Sequence, residues 1–320
     1  MYPEKETSLS YEYLQKVVSA LEEPICLIGG WAIYLTVNKA YNASTGKDYI
    51  GSRDIDLGFH IEEKQELKNT TFGKAMKKLE EEGFTEVGGR MVKNLDYDTG
   101  EEVEPKEAKE KPMYELHKMY VDLMVDHAPK PDNLKETNLI FDEELLQYVF
   151  DDPTHREELE QFNKKLWMPK PWLLLAMKTK SLPNRQKDHK RQKDIADIAA
   201  ITLFTKQEDT PYNLIEVLRK DKILQSLKSI TPDEIAGTES LLGVQPNSFR
   251  AALSDLITKI DRTYKAKVKK ILSDGKRVQV ARNHSVGEIN NTIPGLQLGE
   301  YVFCNDFETI RRMRIDKNNA

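Results

Sequence analysis

Two aspartates one residue apart, in Ser52-Arg53-Asp54-Ile55-Asp56-Leu57, are the residues of this chain best suited to chemistry. Alternate residues of a strand share a face, so Asp54 and Asp56 would project together while Ile55 and Leu57 enter a core. Converging carboxylates are how a protein holds Mg²⁺. Upstream, the apolar run Ile25-Cys26-Leu27-Ile28 closes on Gly29-Gly30-Trp31. Two glycines after a strand permit a sharp turn and let backbone N–H groups approach a phosphate, and a following helix adds partial positive charge at its N-terminus. Each signal alone has an ordinary explanation, a packing turn or an acidic surface loop. In this order they point to phosphoryl or nucleotidyl transfer, where catalysis is mostly positioning plus cations.

Such chemistry calls for a third carboxylate. The β-prone segment Met119-Tyr120-Val121-Asp122-Leu123-Met124-Val125-Asp126 offers two on one face. Asp122 lies mid-strand, where a neighbour could bring it against the first pair; Asp126 adjoins Pro129-Lys130-Pro131 and reads as a turn residue, so Asp122 is the better placed. Ser52 shares the aspartates' parity and could bond a phosphate, whereas Arg53 faces away and would brace the loop. Trp31 fits either base stacking or, more commonly, the core. His60 follows the D-x-D strand and could reach the site, but a histidine ending a strand is more commonly a partner for a nearby polar group, and His117 and His127 flank the Asp122 strand without metal-like spacing to a cysteine. A second constellation comes after Trp167-Met168-Pro169-Lys170-Pro171-Trp172. Lys178 is a cation in an otherwise apolar helix, and Lys180, Arg185, Lys187, Lys190, Arg191 and Lys193 precede Asp194-Ile195-Ala196-Asp197-Ile198. The bland alternative is a solvated basic face with Lys178 snorkelling.

The ordered set of Gly-Gly turn, D-x-D strand and later single Asp resembles the nucleotidyltransferase superfamily that shares the DNA polymerase β palm. The helical Lys, basic loop and K-D-x-x-D helix look most like its AbiEii-type and minimal members. The resemblance implies an α+β fold: a palm, meaning a small mixed β-sheet flanked by helices, followed by a helical region. It also implies a site. Gly29 and Gly30 would contact the phosphates of an NTP, Asp54 and Asp56 would bind Mg²⁺ or Mn²⁺, and Asp122 would complete the metal site. Lys178 would hold the triphosphate with Asp194 positioning it, and Arg185 and Lys193 would add nucleotide contacts. The acceptor it suggests is RNA, tRNA most naturally, with a neutralising antitoxin protein as partner; a small-molecule or protein acceptor is the alternative. One departure stands out: the stretch between Gly30 and Asp54 is longer than usual, and Tyr41-Asn42-Ala43-Ser44-Thr45-Gly46-Lys47-Asp48 reads as a lengthened loop after the helix.

These residues need a scaffold. With 320 residues, 39% hydrophobic and 32% charged, the chain can bury a sizeable core and is globular in composition. Expected divisions are a palm over 1–165, a helical domain over 166–228 and an extension over 229–320. The periodicity predicts a helix over 10–22, strand 25–28, a helix from 31, strand 55–61 and a helix over 64–82 ended by Gly83. Antiparallel strands over 86–96 and 113–125 would flank an acidic hairpin tip at 98–107, and helices would fill 169–205 and 211–227. Residues 231–253 have the cadence of a helix–turn–helix with a Gly-containing turn, which fits a small bundle or a DNA-reading element. That leaves two rival functions, a DNA-binding regulator and a catalytically weak nucleotide-binding one. Two short strands are expected at 276–280 and 300–304. Cys26 and Cys304 read as reduced thiols. The net charge of −5 gives no general affinity for nucleic acid, and the absence of a membrane-length apolar stretch or a signal-like N-terminus predicts a cytoplasmic protein with no membrane partner.

Overall fold

The computed structural model describes residues 2–62, 66–127, 141–206 and 209–273, with side chains to residue 265 in the last helix. The chain divides into two compact units, Met1–Leu174 and Leu175–Ala320. The fold is mixed, with one sheet in the first unit and helices in the second.

The first unit runs α1 (Glu4–Ala20), β1 (Ile25–Ile28), α2 (Gly29–Thr45), β2 (Asp54–Phe59), α3 (Thr71–Glu81), β3 (Thr85–Val87), β4 (Arg90–Asp96), β5 (Leu116–Val125), β6 (Phe141–Asp142), α4 (Leu146–Asp151), β7 (Arg156–Gln161) and β8 (Lys164–Pro169). The sheet order is β3-β4-β5-β2-β1-β8-β7, with β6 beside β5. At its centre β2 and β5 are parallel, β1 is antiparallel to β2, and β8 is parallel to β1. Burial explains the order: all four residues of β1 are buried, as befits an interior strand, while every residue of edge strand β3 is exposed. In β2 and β5, core residues alternate with the polar ones, Ile55 and Leu57 in the first, Val121 and Leu123 in the second. Each such buried aliphatic side chain contributes about 1.5–3 kcal/mol. Helix α1 lays Tyr13, Leu14, Val17 and Val18 inward at helical spacing and packs on β2 and β5.

Helix α5 (Pro171–Ser181) begins on a proline at its first position and carries the chain across the boundary between the units. The second unit continues with α6 (Asp188–Phe204), α7 (Thr210–Val217), α8 (Lys220–Lys228), α9 (Pro232–Leu242) and α10 (Ser248–Ser273). Helix α10 packs against the four before it, burying Phe249, Leu253, Leu256 and Ile260. Thr231 and Glu234 form a reciprocal capping box at the start of α9, and Gly243, left-handed at φ 64°, ends it. The helix–turn–helix cadence is thus two helices joined at a glycine, spent on a bundle core.

Several expectations shift. The first helix starts at Glu4, not at residue 10. Helix α2 starts on Gly29 itself, so the glycines form its first turn, and it runs on to Thr45 with Gly46 as a left-handed cap. Much of the expected loop over 41–48 is therefore helix, held because Tyr41 is buried against Tyr49 and because Asn38 and Asn42 both donate to Asp48 Oδ1 at 3.1 Å. The segment expected as one strand over 86–96 is a hairpin, since Gly88 and Gly89 (φ 59° and 86°) supply the turn. Strand β7 has no counterpart among the expected elements because Glu157, Glu158 and Glu160 mask its alternation; Phe162 and Asn163, at φ 56° and 58°, turn it into β8. The strand expected over 55–61 is two residues shorter at its end, and α3 starts at Thr71, where Thr70 caps it through Gly73 N–H at 3.0 Å. Gly83, at φ 82°, does come after that helix, and the acidic connector does join β4 to β5. The strands expected at 276–280 and 300–304, and Cys304, lie outside the described residues. No helix among the described residues is long and apolar enough to cross a membrane.

Candidate active site

The parallel pairing of β2 with β5 sets Asp56 opposite Asp122 and Asp54 opposite Tyr120. Directly opposed positions share a face. The three aspartates therefore stand together on the polar side of these strands while Ile55, Leu57, Val121 and Leu123 anchor the other side. Register with β1 adds the glycines: Ile28 pairs with Asp56, so the residue after it, Gly29, sits against that carboxylate. Gly29 adopts φ 66°, and a β-carbon built on it would lie 2.7 Å from Asp56 Cγ and nearer still to Oδ2. Gly30 has ordinary φ, but its β-carbon would lie 2.7 Å from Ser52 Oγ. Each glycine thus makes room for one side chain of the expected site, Asp56 and Ser52. Ser52 is buried, and Arg53 turns away to pair with Glu6 at 2.8 Å, a brace as expected.

One residue of this face is absent from the set expected on sequence. Arg90, first in β4, forks onto Asp122, Nε donating to Oδ1 at 2.5 Å and Nη2 to Oδ2 at 2.8 Å, while Nη2 also lies 3.1 Å from Asp54 Oδ2. Its guanidinium stacks 4.1 Å from the Tyr120 ring centroid. Burial works against its charge, but the bonds to Asp122 and the charge of Asp54 outweigh it and raise its pKa further. The signal that could have found it is the Gly88-Gly89 dipeptide. Reading it as a hairpin turn places Arg90 beside Asp122, because Met91 pairs with Val121.

The other expected residues lie in the second unit, in a buried ion network. Lys178 Nζ reaches Asp194 Oδ1 at 2.6 Å and Asp197 Oδ2 at 2.9 Å. Arg185 Nε donates to Asp194, and Lys193 to Asp197, which is fully buried. Burial opposes the charge of Lys178, yet Asp197 and Asp194 raise its pKa; for Lys193 burial prevails and the pKa falls. Lys178 therefore does not snorkel: it donates to Asp194 inside the unit. Asp197 is a further member of the network. Arg191 pairs with Glu234 at 2.6 Å, so that much of the basic run answers carboxylates of its own unit.

The alternatives resolve into structure. Asp126 is buried beyond the end of β5, accepts from Ile61 N–H at 3.2 Å and pairs with His60 and with His127 (2.9 Å), tying β2 to β5 past their ends. Trp31 is core, its Nε1 donating to Ser10 Oγ at 3.0 Å. Cys26 is buried, which pushes its thiol pKa up.

Asp54, Asp56 and Asp122 offer only oxygen donors, the ligand type a hard divalent cation takes, and the space left by Gly29 is what seats Asp56. Among the described residues no three His, Cys, Asp or Glu side chains already form a metal cage; Asp54 and Asp122 converge on Arg90 instead. No family model matches the chain, and no curated protein does. Among solved structures the chain is similar to an antigenic nucleotidyltransferase-like protein from Paracoccidioides brasiliensis, at 14% identity and a TM-score of 0.38, over 77% of this chain and 96% of that one.

Proposed function

We propose that the chain is a metal-dependent nucleotidyltransferase, moving a nucleoside monophosphate from an NTP to an acceptor hydroxyl with release of pyrophosphate. Support comes above all from one juxtaposition in the first unit: Asp56 and Asp122 paired across β2 and β5, Asp54 on the same face, and Gly29 pressed against Asp56. Asp54, Asp56 and Asp122 would hold Mg²⁺, which when bound supplies charge neutralisation to the phosphates and lowers the pKa of a coordinated hydroxyl. The protein's own part is positioning. The N-terminus of α2 at Gly29 and Gly30 offers backbone N–H groups and a helix dipole to phosphate oxygens, and Ser52 Oγ adds a hydroxyl beside them. Asp122, opposite Asp56 on the same face, would help activate the acceptor hydroxyl as a base once its pair with Arg90 opens.

RNA is the acceptor we favour. The exposed Lys187 and half-buried Lys190 are basic positions of α6 and its approach. Small molecules or protein hydroxyls are the competing acceptors. The test is to incubate the full chain with each labelled NTP, Mg²⁺ and total cellular RNA, and trace the label. Transfer should vanish in Asp54→Ala and Asp56→Ala while both variants stay folded by circular dichroism; wild-type turnover in either variant refutes the assignment. Label in protein or in small molecules instead of RNA would move the acceptor, not the chemistry.

A further inference from the structure

We propose that Arg90 sets the metal affinity of the carboxylate face, because its guanidinium and a divalent cation compete for the same oxygens of Asp54 and Asp122. The inference deepens the nucleotidyltransferase assignment and rests on it. Arg90 Nη2 touches an oxygen of a residue from each central strand, Asp54 of β2 and Asp122 of β5, while Nε completes a two-point grip on Asp122. A divalent cation held by this face would draw on the same oxygens. Planar two-point pairing of this kind is the strong form of a charge-assisted bond, so a metal must displace it before it can take both carboxylates.

The surroundings suit an exchange. Arg90 and its partners are neither sealed nor loose: side-chain exposures are 23% for Arg90, 27% for Asp54 and 15% for Asp122. The guanidinium rests on the Tyr120 ring, a partner that stays available when the carboxylates are taken, and Arg90 begins its strand next to a Gly-Gly turn. Asp56 touches Gly29 on the far side from β5, so a cation arriving first at Asp56 would draw on Asp122 and Asp54 against the charge of Arg90.

Removing the competitor should therefore tighten metal binding, whereas an Arg90 that only braces the strands would leave binding equal or weaker when removed. The measurement is a Mn²⁺ titration of the EDTA-treated full chain without nucleotide, monitoring free Mn²⁺ by EPR, for wild type, Arg90→Met, Arg90→Lys and Asp54→Asn. Methionine keeps the aliphatic stem over Tyr120 and loses the charge. Expected are binding by wild type, affinity raised about tenfold or more in Arg90→Met, an intermediate value in Arg90→Lys, which cannot grip two oxygens at once, and weakened binding in Asp54→Asn. Equal or weaker Mn²⁺ affinity in Arg90→Met, with Asp54→Asn still impaired, overturns the competition while leaving the metal assignment standing. No Mn²⁺ binding by wild type or Arg90→Met overturns both. Should Arg90→Met fail to fold, Arg90→Lys carries the test alone, and wild-type affinity there overturns the competition.

Discussion

Gly29→Ala separates the turn's conformational need from its chemical one. Gly29 sits at φ 66°, a conformation that costs an L-residue roughly 1–2 kcal/mol. The added methyl would also lie 2.7 Å from Asp56 Cγ, where carbon atoms pack at ~3.5–4 Å, so the carboxylate must retreat by about 1 Å. A misplacement of that size in a reacting constellation can lower turnover about 10²-fold. The variant should therefore lose about 1–2 kcal/mol or somewhat more, read from urea unfolding, and nearly all label transfer. Gly30→Ala is the control with ordinary φ. Its methyl meets Ser52 Oγ at 2.7 Å and Ser52 Cβ at 2.8 Å, so adding Ser52→Gly should restore stability in the double variant. Nothing at a second site should rescue Gly29→Ala to the same degree, because its backbone strain persists. A Gly29→Ala protein with wild-type unfolding and wild-type transfer would refute the claim that Asp56 and the turn are one fitted unit.

The ion network of the second unit predicts that Asp197→Ala, which leaves Lys178 and Lys193 short of a buried anion, costs about 3–5 kcal/mol; the pair Asp197→Leu with Lys193→Met should cost clearly less. Urea unfolding of the three proteins decides it, and a loss under about 1 kcal/mol for Asp197→Ala would contradict the network. His117, 2% exposed, has its pKa pushed down to about 4 by burial and by Arg53, against a pull from Asp54, and its Nε2 has no partner among the described residues. The unfolded imidazole, with an ordinary value of 6.5, takes a proton more readily, so the fold is fully stable above that pH and loses up to roughly 3 kcal/mol as pH falls through 4. In His117→Phe the difference in unfolding free energy between about pH 7 and pH 4.5 should shrink; an unchanged difference would place the acid sensitivity elsewhere.

What is legible in the residues is whatever rests on short-range alternation. Asp54 and Asp56 share a face because parity dictates it, and Asp122 joins them from mid-strand while Asp126 lies past the end of β5. The parallel pairing that sets Asp56 against Asp122 is not legible, for it joins segments far apart in the chain through contacts no local pattern encodes. Arg90 is hidden for a related reason, since its partner belongs to another strand and the Gly88-Gly89 turn passes locally for strand interior. Strand β7 fails the opposite way: its glutamates look like a solvated loop, yet an edge strand tolerates them. In the second unit the cations are visible one by one, but not that Asp194 and Asp197 would claim Lys178, Arg185 and Lys193, a matter of tertiary burial and not of charge count.

The register of β2 acts as a proofreading device for the aspartates it carries. Ile55 and Leu57 are wholly buried and alternate with Asp54 and Asp56, so a slip of one residue against β1 and β5 would drive both carboxylates into the core and both aliphatic chains into water. No misaligned version of the site can then persist as a folded protein, because the error that would scramble the carboxylates also dismantles the core. Length changes in β2 should be lethal to folding, whereas Gly46, with nothing within 4 Å of a β-carbon built there, marks a place in the connection from β1 to β2 where extra residues can be absorbed without moving an aspartate.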